Sequence, residues 1–181
     1  MPFGGADLDS FRCISCLDDP LPVEWTEAWG HYRGPLERLL HAFKFERHDF
    51  VDAALAELLD DVLRDREFDA VVAVPMSRAK LRRRGYNQAE LLGRALARRT
   101  GIAYESSFMT KRLERRTQST LARGDRAANV RGAFRSSAAV RERAVLLVDD
   151  ISTTGETLRA CALSLRRAGA KRICCAVVAK A

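Results

Sequence analysis

Val145-Leu-Leu-Val-Asp-Asp-Ile-Ser-Thr-Thr-Gly-Glu-Thr157 decides how the rest of this chain is read. An apolar run ends in two adjacent carboxylates. A short loop of hydroxyl residues with one glycine follows, and then an amphipathic segment from Leu158 to Ala168. That order reads as strand, acidic pair, anion-cradling loop and helix. In an open parallel sheet, ligands bind beyond the carboxyl ends of the strands. Asp149 and Asp150 stand at such an end. Carboxylates there suit vicinal ribose hydroxyls or a divalent cation carried by a substrate. Ser152, Thr153, Thr154, Gly155, Glu156 and Thr157 gather backbone N–H groups and hydroxyls around one point. A helix N-terminus lies behind them, so a phosphate dianion would meet donors and dipole together. A simple helix cap would also account for Thr153 and Glu156. It does not account for two adjacent carboxylates, which repel each other without a ligand or cation.

Working outward, strands and helices alternate. Phe68 to Pro75 reads as a buried strand. Helices are expected from about Gly34 to Lys44, from about Asp49 to Arg64, and from Asn87 to Thr100 with Gly101 as a stop. Met76 to Gln88 reads as a basic loop, and residues 1 to 30 as loop. Ala103 to Thr110 holds a short strand, Lys111 to Phe134 reads as a mobile loop, and Ile173 to Val178 is the last strand. The fold class is α/β, a mostly parallel sheet flanked by helices. Residues 1–33 form a small N-terminal appendage and residues 34–181 the main domain.

The chain has 181 residues and a net charge of +7, unevenly spread. Between Arg78 and Arg135 there are 16 Lys/Arg against 4 Asp/Glu, while the remainder holds 15 against 20. Of the 31 basic residues, 26 are arginine, whose planar fork of donors suits phosphate oxygens. The middle of the chain therefore calls for a polyanionic partner or, at any single position, an ordinary solvated helix face. No apolar run approaches the roughly 18 residues of a membrane span, so no membrane insertion is expected. The first ten residues carry two aspartates and no basic side chain, which speaks against a signal peptide and for a cytoplasmic protein. There is no G-x-x-x-x-G-K-[ST] run and no G-x-G-x-x-G after a strand, so neither nucleotide-binding loop is present.

The opening segment resembles the thirteen-residue phosphoribosyl pyrophosphate (PRPP) motif of type I phosphoribosyltransferases. Further segments narrow the resemblance to the ComF family, the phosphoribosyltransferase-like proteins of late competence. They are Lys44-Phe45, Val74-Pro-Met-Ser77, Arg84-Gly-Tyr-Asn-Gln88, Arg116-Thr-Gln-Ser-Thr-Leu121, Arg126-Ala-Ala-Asn-Val-Arg-Gly-Ala-Phe134 and Gly169-Ala170. They occur in the family's order over roughly residues 34 to 179.

The resemblance implies a type I phosphoribosyltransferase fold that binds PRPP or ribose 5-phosphate with magnesium. Asp149 and Asp150 would take the ribose and metal, and Ser152 to Thr157 the 5-phosphate. Met76, Ser77 and Arg78 would form a pyrophosphate loop. Arg112, Arg115, Arg116, Gln118 and Arg126 would lie on a flexible loop that closes over the ligand. The resemblance also implies a part in DNA uptake and natural transformation, alongside single-stranded DNA and a competence helicase. Arg82, Arg83, Arg84, Asn87 and Gln88 form a basic patch open to pyrophosphate, single-stranded nucleic acid or a protein. Few aromatics interleave with these arginines, so a base-stacking platform is poorly supported.

Thr153 stands where many base-salvage enzymes of this fold carry an aspartate. Threonine is not a general base at neutral pH, so the motif speaks for binding more than for purine salvage. Three readings stay open: a PRPP-binding protein, a true transferase on an unknown acceptor, and a DNA- or protein-binding module with a vestigial phosphate pocket. Cys13-Ile-Ser-Cys16 has the spacing of half a zinc ribbon. The family often has two such pairs, but here there is one. Two thiolates do not complete a four-ligand site, so a zinc site at Cys13 and Cys16 is weighed against an unmetallated remnant. Cys161, Cys174 and Cys175 fall in core elements and are expected to pack as small apolar residues.

Overall fold

A computed structural model describes residues 22–45, 50–63, 66–112 and 132–181. A four-stranded, all-parallel sheet carries the site. Its strands are β1 (Thr26–His31), β2 (Ala70–Ala73), β5 (Ala144–Ser152) and β6 (Arg172–Lys180), in the order β1-β6-β5-β2. β3 (Met109–Lys111) and β4 (Phe134–Ser136) form a separate antiparallel pair. The helices are α1 (Gly34–Phe45), α2 (Val51–Leu63), α3 (Arg78–Arg84), α4 (Gln88–Thr100) and α5 (Glu156–Arg167).

The central strands are apolar because helices cover them. Val145 to Val148 on β5 and Ile173 to Ala179 on β6 are all buried. Such continuous apolar runs are expected of parallel strands buried on both faces. α2 and α4 pack on each other and on the sheet, while α5 packs on β4, β5 and β6. Gly93 on α4 lets Tyr104 and Val148 approach: a Cβ there would lie 2.9 Å from the Tyr104 ring and 3.2 Å from Val148 Cγ2. Cys161, Cys174 and Cys175 are buried and unbridged, as small core residues. No helix among the described residues is long and apolar enough to cross a membrane.

Several expectations need correction. Residues 26–30, read as loop, belong to the edge strand β1, registered Thr26↔Cys175 through His31↔Lys180 on β6. Its residues are half-buried or exposed, so no apolar run marks it. The basic stretch 76–88 is not all loop, because Arg78–Arg84 forms a helix. Ser77 sits at its N-cap and Gly85, at φ 84°, closes it in the left-handed region. That helix buries no residue, so it leaves no hydrophobic period in the sequence. β5 does not stop at Val148 but continues through both aspartates to Ser152, because β6 pairs with it that far, Asp149↔Val177 and Ser152↔Lys180. The stretch from Ala103 gives one parallel bridge, Val71 to Tyr104, before β3 begins at Met109. Residues 113–131, the bulk of the expected mobile loop, lie outside the described residues, as do Cys13 and Cys16. The β3–β4 pair, Lys111↔Phe134, brackets that segment.

Candidate functional site

The site forms where β2 and β5 end side by side. Val74 N–H donates to Val148 O at 3.0 Å, so the chain leaves β2 level with the acidic pair on β5. Pro75, Met76 and Ser77 follow directly. Met76 and Ser77 are half-buried and Arg78 is exposed. Ser77 Oγ accepts from Lys80 N–H at 3.4 Å, so this hydroxyl, expected on pyrophosphate, caps α3.

Asp149 and Asp150 are both half-buried. Asp150 N–H donates to Asp149 Oδ1 and Ile151 N–H to Asp150 Oδ1, each at 2.9 Å. These contacts fix both carboxylates close to the backbone. Burial pushes the Asp149 carboxyl well above the usual carboxylate range, and the adjacent Asp150 charge pushes it the same way. The Lys44 ammonium pulls it back down. A proton or a cation is thus favoured at this carboxyl.

Beyond β5 the chain turns through Thr153, Thr154 and Gly155 into α5. Gly155 is the N-cap residue at φ 77°, the left-handed region that favours glycine, and no side chain caps the helix. The capping box that the sequence allowed is therefore not formed. Glu156 N–H reaches Thr154 Oγ1 at a long 3.5 Å. The first turn of a helix leaves its amides without intrahelical acceptors, and here they open onto a concavity of about 50 Å³. It is lined by Asp149 and by Ile151 to Leu158. All six loop residues expected from the sequence therefore share one small polar hollow with the first aspartate. A far larger hollow, about 740 Å³, lies at the other end of the sheet, lined by Arg66, Asp69, Arg99 and Arg172 among others. Arg66 and Arg99 there are already paired, with Glu27 at 2.8 Å and Asp60 at 2.7 Å. These pairs leave that hollow no free anion-binding group from either arginine.

The basic patch divides in two. Arg82 and Arg83 are exposed on α3. Arg84, Asn87 and Gln88 instead tie elements together. Arg84 Nη1 donates to Gln88 Oε1 at 2.8 Å, and Asn87 Nδ2 to Val74 O at 3.1 Å. Asn87 sits at the α4 N-cap but its side chain makes no cap bond; its Nδ2 holds Val74 O, just past β2, instead. Arg112 is exposed at the foot of the β3–β4 pair, its N–H donating to Ala133 O at 2.8 Å. Arg115, Arg116, Gln118 and Arg126 lie outside the described residues. Lys44 and Tyr86, which the sequence offered only as parts of motifs, prove to belong to the neighbourhood of the site. Tyr86 Oη donates to Phe43 O at 3.0 Å.

Among the described residues there is no group of three or more His, Cys, Asp or Glu side chains that could hold a metal by itself. Asp149 and Asp150 nevertheless fit magnesium. They are hard oxygen donors that repel each other, and Mg²⁺ is usually held by one or two carboxylates together with substrate oxygens.

A helix-flanked parallel sheet with this acidic strand and hydroxyl loop is the type I phosphoribosyltransferase fold. The model of the phosphoribosyl transferase domain family matches residues 45–181. The fold is shared with glutamine PRPP amidotransferase from B. subtilis, at TM-score 0.52 and 21% identity over 76% of this chain and 30% of that one. Nearer relatives are DNA utilization protein YhgH of Salmonella typhi and Competence protein F of Haemophilus influenzae. The first is 36% identical over 171 residues, covering 91% of this chain and 75% of that protein. The second is 33% identical over 181 residues, covering 93% and 79%. The chain belongs to the ComF family of phosphoribosyltransferase-like proteins.

Proposed function

We propose that this protein binds PRPP or ribose 5-phosphate with magnesium, in the cytoplasm, and that this binding serves the use of incoming DNA in natural competence. One observation carries the ligand. Asp149 and the amide-rich turn Ser152–Thr157 line the same hollow at the N-terminus of α5. The 5-phosphate would sit against the first-turn amides and the Thr154 and Thr157 hydroxyls, where dipole and donors act together. Asp149 and Asp150 would take the ribose hydroxyls and the magnesium. The ion supplies charge neutralisation for a diphosphate. Met76 to Arg78 stand level with the acidic pair and suit the diphosphate end. Arg112 stands at the foot of the loop whose remaining arginines and Gln118 would close over it. The competence role rests on relatives named for competence and DNA utilization.

Transfer to an acceptor has less support. Thr153 is exposed at the rim of the hollow, and its hydroxyl cannot serve as a base. A second reading, contact with single-stranded DNA, is favoured by Arg82 and Arg83, which project from α3 with no ion pair to any described residue. A competence helicase would be the natural protein partner of that role.

Isothermal titration with PRPP, with and without Mg²⁺, tests the main reading. Magnesium-dependent binding that is lost in Asp149→Ala/Asp150→Ala is expected. No heat with wild type, or equal binding by the double variant, would overturn it.

A further inference from the structure

β2 and β5 pair in parallel as far as Ala73↔Val148. Val74 N–H still donates to Val148 O at 3.0 Å. Rungs of a parallel ladder are evenly spaced, so the next would run from Asp150 N–H to Val74 O. That rung is not formed. Both of its groups have side-chain partners instead. Val74 O accepts from Asn87 Nδ2 at 3.1 Å, and Asp150 N–H donates to Asp149 Oδ1 at 2.9 Å. The two strands therefore part at the acidic pair with neither backbone group left unsatisfied, which would be costly away from water.

Asn87 forgoes another use to do this. It stands at the N-cap of α4 with extended backbone, φ −105° and ψ 116°, the setting from which asparagine commonly caps a helix. Its side chain makes no cap bond. A residue serving only to start α4 would turn its side chain inward and cap it. The base from which Asn87 reaches Val74 is itself anchored. Next to it, Gln88 is the only buried polar or charged side chain among the described residues, 2% exposed. Its Oε1 accepts from Arg84 Nη1 at 2.8 Å, and its Nε2 donates to Lys44 O at 3.4 Å. The first turn of α4 is thus tied to the end of α1.

Val74 is gripped by β5 through its N–H and by α4 through its carbonyl, and Pro75, Met76 and Ser77 follow it directly. We infer that Asn87 is a positioning residue for the diphosphate end of the ligand: by taking Val74 O it stands in for the missing rung and sets the Met76–Ser77 turn beside the acidic pair. The inference rests on the proposed PRPP reading and adds a residue that need not touch the ligand. Without the Asn87 amide, Val74 O is open to Asp150 N–H. One more rung would then draw the start of that turn onto the strand that carries the aspartates.

The experiment is titration calorimetry with PRPP and Mg²⁺, with ribose 5-phosphate measured as a competitor, on wild type, Asn87→Ala and Asn87→Ser. Serine is neutral, caps helices about as well as asparagine, and is one atom too short to keep the bond to Val74 O. Losing one positioning hydrogen bond should weaken PRPP about fivefold in both variants, and should change ribose 5-phosphate, which lacks the diphosphate, less than about twofold. If Asn87→Ala destabilises the fold, Asn87→Ser carries the comparison. If wild type does not bind PRPP, the proposed function itself falls and this inference with it. If wild type binds and Asn87→Ser binds PRPP unchanged, or weakens both ligands by the same factor, only the role of Asn87 falls.

Discussion

Replacing Asp149 by Asn should make the ligand-free protein more stable while abolishing magnesium-dependent binding. The asparagine is nearly the same size, and its Oδ1 can still accept from Asp150 N–H, which Asp149 does now at 2.9 Å. What disappears is a charge that burial and Asp150 both oppose. In the unfolded chain this carboxyl titrates near the ordinary value of about 4. In the folded protein it titrates well above that, so the native state binds the proton more tightly. The carboxyl therefore costs nothing below about pH 4, where it is protonated in both states. Its cost grows as the pH rises through the window between the two values, and is full and constant above the folded one. Relief of such site strain is worth about 1–2 kcal/mol. For a chain of this size that raises the melting temperature by about 3–6 °C at pH 8. Melting curves of both proteins at pH 4.5 and pH 8, without ligand, measure it. The gap should be small at the lower pH and wide at the higher. A variant that melts below wild type at pH 8, or a gap of equal size at both, would refute the reasoning. The same samples with PRPP and Mg²⁺ should reverse the order, since only wild type gains ligand stabilisation.

Gly93→Ala sets a helix-propensity gain of about 1 kcal/mol against overpacking of about 1–3 kcal/mol, because its Cβ would meet the Tyr104 ring at 2.9 Å. Urea unfolding should show a net loss, and a gain would mean that the contact yields freely. Gly155→Val puts a β-branched residue at φ 77° with nothing within 4 Å of its Cβ, so its cost is backbone strain of about 1–2 kcal/mol. Both the melting temperature and ribose 5-phosphate affinity should fall, and unchanged affinity would separate the turn from phosphate binding. Arg82→Ala/Arg83→Ala should lower the salt dependence of single-stranded DNA binding by a slope of about 1 per arginine, with melting unchanged because both are exposed. An identical slope would remove α3 from that role.

The parallel core was legible because its residues carry one instruction. Val145 to Val148 and Ile173 to Val178 are apolar without alternation, and only a strand covered on both faces asks for that. β1 was not legible, because at the sheet edge its half-exposed residues are specified by the backbone ladder to β6 rather than by burial. α3 escaped for a similar reason: it is held by Ser77 and Gly85 at its ends and buries nothing. At the site, the hydroxyl turn and Asp149 could be read together because they are contiguous in sequence. The division of the basic patch could not. Arg82 and Arg84 are the same residue type two positions apart, and only the fold shows that one projects outward while the other bonds to Gln88. Lys44 and Val74 are thirty residues apart in sequence and meet through Asn87 and Gln88, which no local pattern reveals.

The acidic pair lies inside a ladder rather than at a free end, and this bears on how ligand and metal act together. β6 continues to pair with β5 through Ser152↔Lys180, so the backbone carrying Asp149 and Asp150 is held in the sheet, and the Asp150 charge acts on the Asp149 carboxyl there. In a loop, the two carboxylates would part and solvate separately. In the strand the Lys44 ammonium offsets part of their repulsion, and protonation or a bound cation relieves the rest. A phosphate ester arriving alone would add its own negative charge beside them. One arriving with Mg²⁺ brings the neutralisation the strand lacks. Affinity for PRPP should therefore depend on magnesium more steeply than affinity for ribose 5-phosphate, which brings fewer negative charges to the pair. Titrating both ligands against a magnesium series distinguishes the two cases. Parallel dependences would mean that the strand-held carboxylates do not set the ligand's charge requirement.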